Sequence, residues 1–266
     1  MSLTEAVATQ VYGRARVQVY ASLDALGGAA ARQAAGAIQK AITRSGRARI
    51  VIATGNSQLA LIDALVRQEG LDWNRVAAFH MDEYVGISRD HPASFRKWIR
   101  ARVEERVRPD RMEFLEGDAP DLEVEMARYA RLLSAGPIDL AFVGIGENGH
   151  IAFNDPAVAD FEDALMVKRV VLDPDCRRQQ VGEGHFENMD AVPREALTLT
   201  CPGLFRAQSW ICSVPEARKA KAVRCALEGP VSTVCPGSLV RTHPNATVYL
   251  DIHSSALLAS VPPKAR

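Results

Sequence analysis

Apolar residues fall along the chain in two rhythms. The first is the short continuous run, most clearly Ile138 to Val143, which is how a parallel strand buried on both faces reads. Arg49 to Ala53 reads as a buried strand, and Val76 to Phe79, the short Met112 to Leu115, Lys168 to Leu172, Leu197 to Thr200, Ser209 to Cys212 and Thr247 to Leu250 are further strands. Val17 to Tyr20 reads as an edge strand, and residues up to Gly13 show weak periodicity, as of chain lying loosely on the surface. The second rhythm is helical spacing. It predicts an Ala-rich helix from Leu23 to Arg44 behind the N-cap Ser22, then helices over Gln58 to Arg67, Ser94 to Val107, Asp121 to Leu133 and Glu216 to Leu227. His80 to Gly86 and the glycine-spaced Gln179 to His185 read as loops. Strands alternating with helices predict an α/β fold: one open, mostly parallel sheet with helices on both faces, a Rossmann-like three-layer sandwich joined by right-handed crossovers. No repeat, low-complexity stretch or linker divides the 266 residues, so the expectation is a single domain spanning 1–266.

Composition narrows the function classes. With Lys plus Arg equal to Asp plus Glu at 32 each, no overall field draws the chain to nucleic acid or to a membrane surface, and an anionic ligand must be held by local groups. No apolar run approaches the roughly 20 residues of a membrane span, and the N-terminus lacks a basic-then-apolar signal; the expected location is cytoplasmic. The five cysteines, Cys176, Cys201, Cys212, Cys225 and Cys235, are odd in number and lack CxxC spacing, which argues against a disulfide framework and a zinc site.

Chemistry is expected outside the carboxyl ends of the strands, where open α/β sheets bind ligands. The run at Ile138 gives way to Gly144, Gly146 and Gly149, which let the backbone turn and be approached closely, with Asn148, His150 and Asp155 among them. A turn histidine satisfying a backbone carbonyl is the plain alternative. Thr54, Gly55, Asn56 and Ser57 lie between a buried strand and a helix, where free backbone N–H groups at the positive end of a helix suit a phosphate and equally make a simple cap. Asp82 and Glu83 follow the strand at Val76; adjacent carboxylates on a strand cannot both point inward, so the pair reads either as one buried base with the other exposed or orienting, or, more commonly, as solvated loop acids.

Three stretches together resemble the glucosamine-6-phosphate deaminase/isomerase family, relatives of the sugar-phosphate lactonases: Ala53-Thr54-Gly55-Asn56-Ser57, Phe79-His80-Met81-Asp82-Glu83-Tyr84-Val85-Gly86, and Gly144-Ile145-Gly146-Glu147-Asn148-Gly149-His150-Ile151-Ala152-Phe153-Asn154-Asp155-Pro156. The helix carrying Lys219 and running to Glu228-Gly229 is a fourth match. The resemblance implies release of ammonia from glucosamine 6-phosphate with isomerisation to fructose 6-phosphate, without cofactor or metal. It implies Asp82 as the carboxylate moving a proton between C2 and C1, and His150, with Asn148 and Asp155, as the ring-opening group. Thr54, Gly55, Asn56, Ser57 and Lys219 would hold the phosphate, with Glu83 and Gly149 among the substrate-binding residues. The implied partner is a small amino-sugar phosphate, and a homo-oligomer is left open.

The chain departs from the family pattern in three places. Asn148 stands where an acidic residue is found and Asp155 where a Glu is found. An arginine for the phosphate belongs in a segment spaced differently from Cys176 to Phe186, with Arg178 and His185 as candidates to replace it. Val158 and Ala159 replace the serines of allosteric members, which puts an activator site in doubt. Two other readings stay open: a lactone hydrolase of six-carbon sugar phosphates, against which Asp82-Glu83-Tyr84 weighs, and a sugar-phosphate sensor, for which no basic recognition helix is present.

Overall fold

A computed structural model describes residues 5–259 of the chain. Its main sheet has eight strands in the order β1-β2-β11-β10-β7-β3-β4-β6. These are β1 (Ala8–Tyr12), β2 (Ala15–Tyr20), β3 (Ala48–Ile52), β4 (Val76–His80), β6 (Arg111–Glu113), β7 (Leu140–Val143), β10 (Trp210–Val214) and β11 (Ala246–Asp251). Only the β1–β2 pair is antiparallel; every other pairing is parallel. The helices are α1 (Leu23–Ser45), α2 (Leu59–Leu65), α3 (Phe95–Ile99), α4 (Glu105–Val107), α5 (Leu122–Ser134), α6 (Pro174–Gly182), α7 (Cys201–Phe205) and α8 (Ala220–Glu228). The predicted mostly parallel sheet with helices on both faces is what forms. The all-buried patterns of β7 and β10 explain why such strands read as unbroken apolar runs.

Ser22 caps α1 by accepting from Ala25 N at 3.2 Å, and Gly46, at φ 79°, ends it. Ala30, Ala31, Ala34, Ile38 and Ala41 on its inner face are buried. This stripe of small side chains lets α1 lie close to its neighbours. Residues 100–104, between α3 and α4, wind as a π-helix inside the stretch expected to be one helix.

Several expectations are corrected. The chain before Gly13 is not loose: among the described residues, Ala8–Tyr12 pairs with β2 along its whole length, and residues 1–4 of that stretch lie outside the description. β2 is consequently no edge strand, since β1 covers one side and β11 the other. The expected loop from His80 contains β5 (Asp82–Tyr84), part of a second, antiparallel sheet in the order β5-β9-β8, with β8 (Val167–Val171) and β9 (Glu195–Leu199). A three-residue strand is too short for its period to show in sequence. The glycine-spaced stretch at Gln179 is the end of α6, begun by the N-cap Asp173 and Pro174.

A close approach between α1 and α2 fixes a prediction. A Cβ on Gly27 would lie 2.5 Å from the backbone carbon of Ala60, so α1 and α2 meet backbone to side-chain-less backbone. Gly27→Ala gains up to ~1 kcal/mol of helix propensity but forces an overlap whose cost is about 1–3 kcal/mol or more. Gly28→Ala meets only Arg32 Nη1, at 3.5 Å. The expected outcome in chemical denaturation is a loss of stability for Gly27→Ala and none for Gly28→Ala.

Candidate active site

Four adjacent strands deliver the site. At their carboxyl ends β3 passes into Thr54–Ser57, β4 into Met81–Asp82, β7 into Gly144–Asp155 and β10 into the turn before Lys219. Thr54, Gly55, Asn56, Ser57, Asp82, His150 and Lys219 line one cavity of about 80 Å³. Sequence expectations for these seven residues therefore converge in space from segments far apart in the chain.

The cradle at Thr54–Ser57 is held from behind. Gly55 takes φ 92° and begins a 3-10 turn, Asn56–Gln58, that leads into α2. Ser213 Oγ donates to Ser57 O at 2.8 Å, and Gln58 Nε2 donates to Ser57 Oγ at 3.0 Å. A Cβ on Gly144 would stand 3.1 Å from Ser57 Oγ, so the glycine turn and the cradle pack directly together.

The histidine turn closes through Gly146 N to His150 O at 2.9 Å and Gly149 N to Gly146 O at 3.0 Å. Gly146 is required by its neighbour: a Cβ there would fall 2.2–2.4 Å from the His150 ring. His150 Nδ1 lies 3.0 Å from Asp155 Oδ1, within ion-pair range though off the direction of a ring N–H. Asn148 completes the frame, donating to Asp155 Oδ1 at 2.9 Å and accepting from His150 N at 3.1 Å. Burial would push the Asp155 carboxyl up, but His150, Asn148 and the Asp173 N–H hold it below the usual carboxylate range. Asn148 and Asp155 do not line the cavity; they contact His150, which does.

Asp82 and Glu83 point to opposite sides of β5, as alternate strand residues must. Asp82 faces the cavity among Met81, Phe95 and Phe153. Burial, with a smaller contribution from Glu83, pushes its carboxyl up to about 8. Glu83 is wholly buried on the other side, accepting from Tyr84 N, Ser94 Oγ, Phe95 N, Arg96 N and Arg96 Nε at 2.8–3.2 Å. This corrects its assignment to substrate binding: its lone pairs are committed to anchoring the start of α3. Gly149 also turns away from the cavity, at φ 88° against Cys235 Sγ.

Neither candidate for the missing arginine reaches the cavity. Arg178 is 60% exposed and pairs with Asp175 one turn back on α6. His185 sits 3.3 Å from Glu183. What α6 does contribute is Gln179, Gln180 and Glu183, all lining the cavity and all missed when the stretch read as a loop. Helical spacing across Gln179, Gln180 and Glu183 was the signal that could have found them.

Among the described residues, one group has ligand types suited to a metal: His150, Asp155 and Cys176, whose ligand atoms lie within 4.8 Å of one another. Burial pushes the Cys176 thiol well up, away from the thiolate a metal requires, and the Asp155 oxygens already accept from Asn148 and Asp173 N. The donor set fits a relay better than an ion site.

The fold and this arrangement define an α/β protein with a cavity at the carboxyl edge of a parallel sheet, where the Thr54–Ser57 turn, a buried acid and a histidine turn meet. The chain belongs to the family of glucosamine-6-phosphate isomerases/6-phosphogluconolactonase, whose pattern matches residues 21–249. It is 36% identical over 224 residues to a glucosamine-6-phosphate deaminase of Arthrobacter sp. (strain FB24), covering 82% of this chain and 84% of that one. Over 230 residues it is 32% identical to the deaminase of Listeria innocua, covering 86% and 96%. The fold superposes on a monomeric glucosamine-6-phosphate deaminase with a TM-score of 0.83 at 30% identity, covering 91% of this chain and 99% of that one. A 6-phosphogluconolactonase from Shewanella baltica shares the fold, with a TM-score of 0.73 at 19% identity, covering 91% and 99%.

The raised Asp82 carboxyl carries a prediction for stability. A folded-state value of about 8 against an ordinary 3.8 means the folded protein holds this proton more tightly than the unfolded chain does. Between those values the folded state is proton-richer, so stability from this group is full at low pH and falls as pH rises toward 8. Asp82→Asn removes that dependence. Melting curves should show the variant more stable than wild type at pH 8, with the difference vanishing toward pH 4.

Proposed function

We propose that this protein is an amino-sugar-phosphate deaminating isomerase, converting glucosamine 6-phosphate and water to fructose 6-phosphate and ammonia. The observation that carries the reading is a desolvated carboxyl, Asp82, facing the same cavity as His150 and the Thr54–Ser57 cradle. The named relatives support it, and the reading takes the chain as a single domain.

The phosphate rests on the backbone N–H groups of the Thr54–Ser57 turn, with Lys219 as the cationic partner. Anchoring the remote end orients the sugar so that its reacting carbons meet the carboxyl, and orientation itself contributes to rate. His150 moves a proton between the ring oxygen and the C1 hydroxyl, and the C1–O5 bond breaks to give the open-chain aldehyde. Asp155 and Asn148 hold the imidazole for that transfer.

Asp82 then takes the proton from C2, leaving an enolamine between C1 and C2, and returns a proton at C1 to give the C2 imine. Water adds at C2, ammonia leaves, and the ketone of fructose 6-phosphate remains. A carboxyl whose affinity for the proton approaches neutrality suits both halves of the transfer, since a base of ordinary strength would be too weak to take a carbon-bound proton. Burial of Asp82 among Met81, Phe95 and Phe153 is what supplies that affinity.

The lactonase reading has fold likeness in its favour, through neighbours of 16–19% identity. A lactone hydrolase has no carbon-bound proton to move. The test is ammonia release from a panel of hexosamine 6-phosphates, set beside hydrolysis of a six-carbon sugar-phosphate lactone. Ammonia release from glucosamine 6-phosphate is expected, and Asp82→Asn should abolish it while leaving phosphate affinity nearly unchanged. A loss of activity within about tenfold, ~1.4 kcal/mol of barrier, would remove Asp82 from the role of base.

For His150 the expected signature is selective. His150→Gln keeps a hydrogen-bonding side chain but loses the proton that imidazole can gain and release. Turnover of glucosamine 6-phosphate should fall by ~10²-fold or more. Exchange of the C1 hydrogen of fructose 6-phosphate with solvent, which needs only Asp82 and the open-chain form present in solution, should persist. Equal loss of both would place His150 in the fold rather than in ring opening.

A further inference from the structure

The cationic pole of the cavity is already occupied. Lys219 Nζ stands 3.9 Å from Glu183 Oε1, and the same oxygen is 2.8 Å from Arg218 Nη1. His185 Nε2 lies 3.3 Å from the other carboxylate oxygen, Oε2. Gln179 Nε2 donates to Oε1 at 2.7 Å. The Glu183 side chain is 6% exposed and forms part of the cavity wall with Thr54, Gly55, Asn56, Ser57 and Lys219. A buried carboxylate surrounded by donors on this scale has the same surroundings that a phosphate oxygen would require.

Volume points the same way. The cavity measures about 80 Å³, against roughly 300 Å³ or more for sites that enclose a small ligand. On the sheet side its wall is fixed, because Ser57 is tied by Ser213 and Gln58 and the histidine turn by its own hydrogen bonds. On the other side it is filled by Gln179, Gln180 and Glu183 at the end of α6. Gly182 and Gly184 flank Glu183 and have open space around them, and Gly184 takes φ 80°. The last turn of α6 is the part of the wall that can withdraw.

We propose that Glu183 holds the anion seat beside Lys219, and that the phosphate of an incoming phosphate monoester displaces it as the end of α6 swings away. The inference rests on the reading of Thr54–Ser57 and Lys219 as a phosphate site. It makes Glu183 a residue that sets anion specificity: a weakly held monoanion does not replace a resident carboxylate, while a phosphate dianion engaging Lys219 and the backbone N–H groups together does. Arg218 is shared with Glu147 at 2.9 Å and Glu216 at 2.6 Å, so on release it keeps two carboxylate partners. Lys219, whose ion-pair partner among the described residues is Glu183, gains the phosphate in exchange.

The test uses inorganic phosphate as the probe, measured by calorimetry and as a competitive inhibitor. Glu183→Gln keeps the shape and the acceptor for Gln179 but removes the charge, and phosphate affinity should rise on the order of tenfold. Glu183→Asp, which draws the carboxylate back by one methylene, should give a smaller rise and serves if the Gln variant folds poorly. Lys219→Ala is the control for the underlying reading. If it fails to weaken phosphate binding, the phosphate site itself is misplaced. If it weakens binding while Glu183→Gln leaves affinity unchanged or lowers it, the displacement is overturned and Glu183 only positions Lys219. A Glu183→Gln variant that loses affinity for glucosamine 6-phosphate while phosphate is unaffected also overturns it, since Glu183 would then be binding the amine.

Discussion

Burial of Glu83 is the constraint on which the site depends. A carboxylate removed wholly from water survives there only when its lone pairs are filled, and Glu83 fills them with the Ser94 hydroxyl, three backbone N–H groups and the Arg96 guanidinium. Arg96 in turn reaches Asp118 at 2.7 Å and the Ile87 carbonyl at 2.7 Å, and also pairs with Glu116. This knot ties β5, the start of α3 and the loop after β6 into one piece. With Glu83 fixed on one side of β5, strand alternation leaves Asp82 no direction except the cavity. The aromatic group of Tyr84, Phe95, Phe153 and Phe186, with ring centroids 4.9–5.8 Å apart, closes over the same region. Phe95 and Phe153 reach from this group to the cavity, so the packing that holds the second sheet also desolvates the acid.

The histidine turn obeys a different limit, that of space. Gly146 has no room for a side chain beside the His150 ring, and Gly237 N donates to Gly149 O at 2.7 Å from a separate segment. Ala152, also on the cavity wall, takes φ 48°, a conformation that a residue with a Cβ adopts rarely and only when its surroundings impose it. Those surroundings are Asn154, whose side chain donates to Ile151 O and Leu199 O, and Thr198, which accepts from Phe153 N. β9 thus braces both the histidine turn and β5, which bear the two groups proposed to move protons.

Legibility in the sequence followed the range of the forces involved. The apolar runs at Ile138 and Arg49 and the cap at Ser22 are local signals, and the elements they predict are present. The glycine turn and Asp82 were visible because their chemistry is written in adjacent residues. What stayed hidden was settled by partners distant in the chain. β5 exists because Asp82–Tyr84 pairs with Ala196–Thr198, more than a hundred residues later. Glu83 reads in sequence like any loop acid, and only Ser94 and Arg96 distinguish it from a ligand-binding one. Arg178 and His185 were the natural cations to consider in their segment, yet folding that segment as α6 turns Arg178 outward and presents Glu183 instead.

That last reversal alters how the anion site should be understood. In the proposed site, a cradle of backbone N–H groups and one lysine would hold a phosphate by fixed dipoles and a single full charge. Burial lowers the proton affinity of Lys219. Glu183 opposes that tendency. Burial would push its own carboxyl up, yet His185, Lys219, Arg218 and Gln179 hold it at about 2, so it stays ionised across the physiological range and keeps a countercharge beside the lysine. In the proposed exchange, the negative charge that competes with the phosphate is therefore also the one that favours the charged form of the lysine.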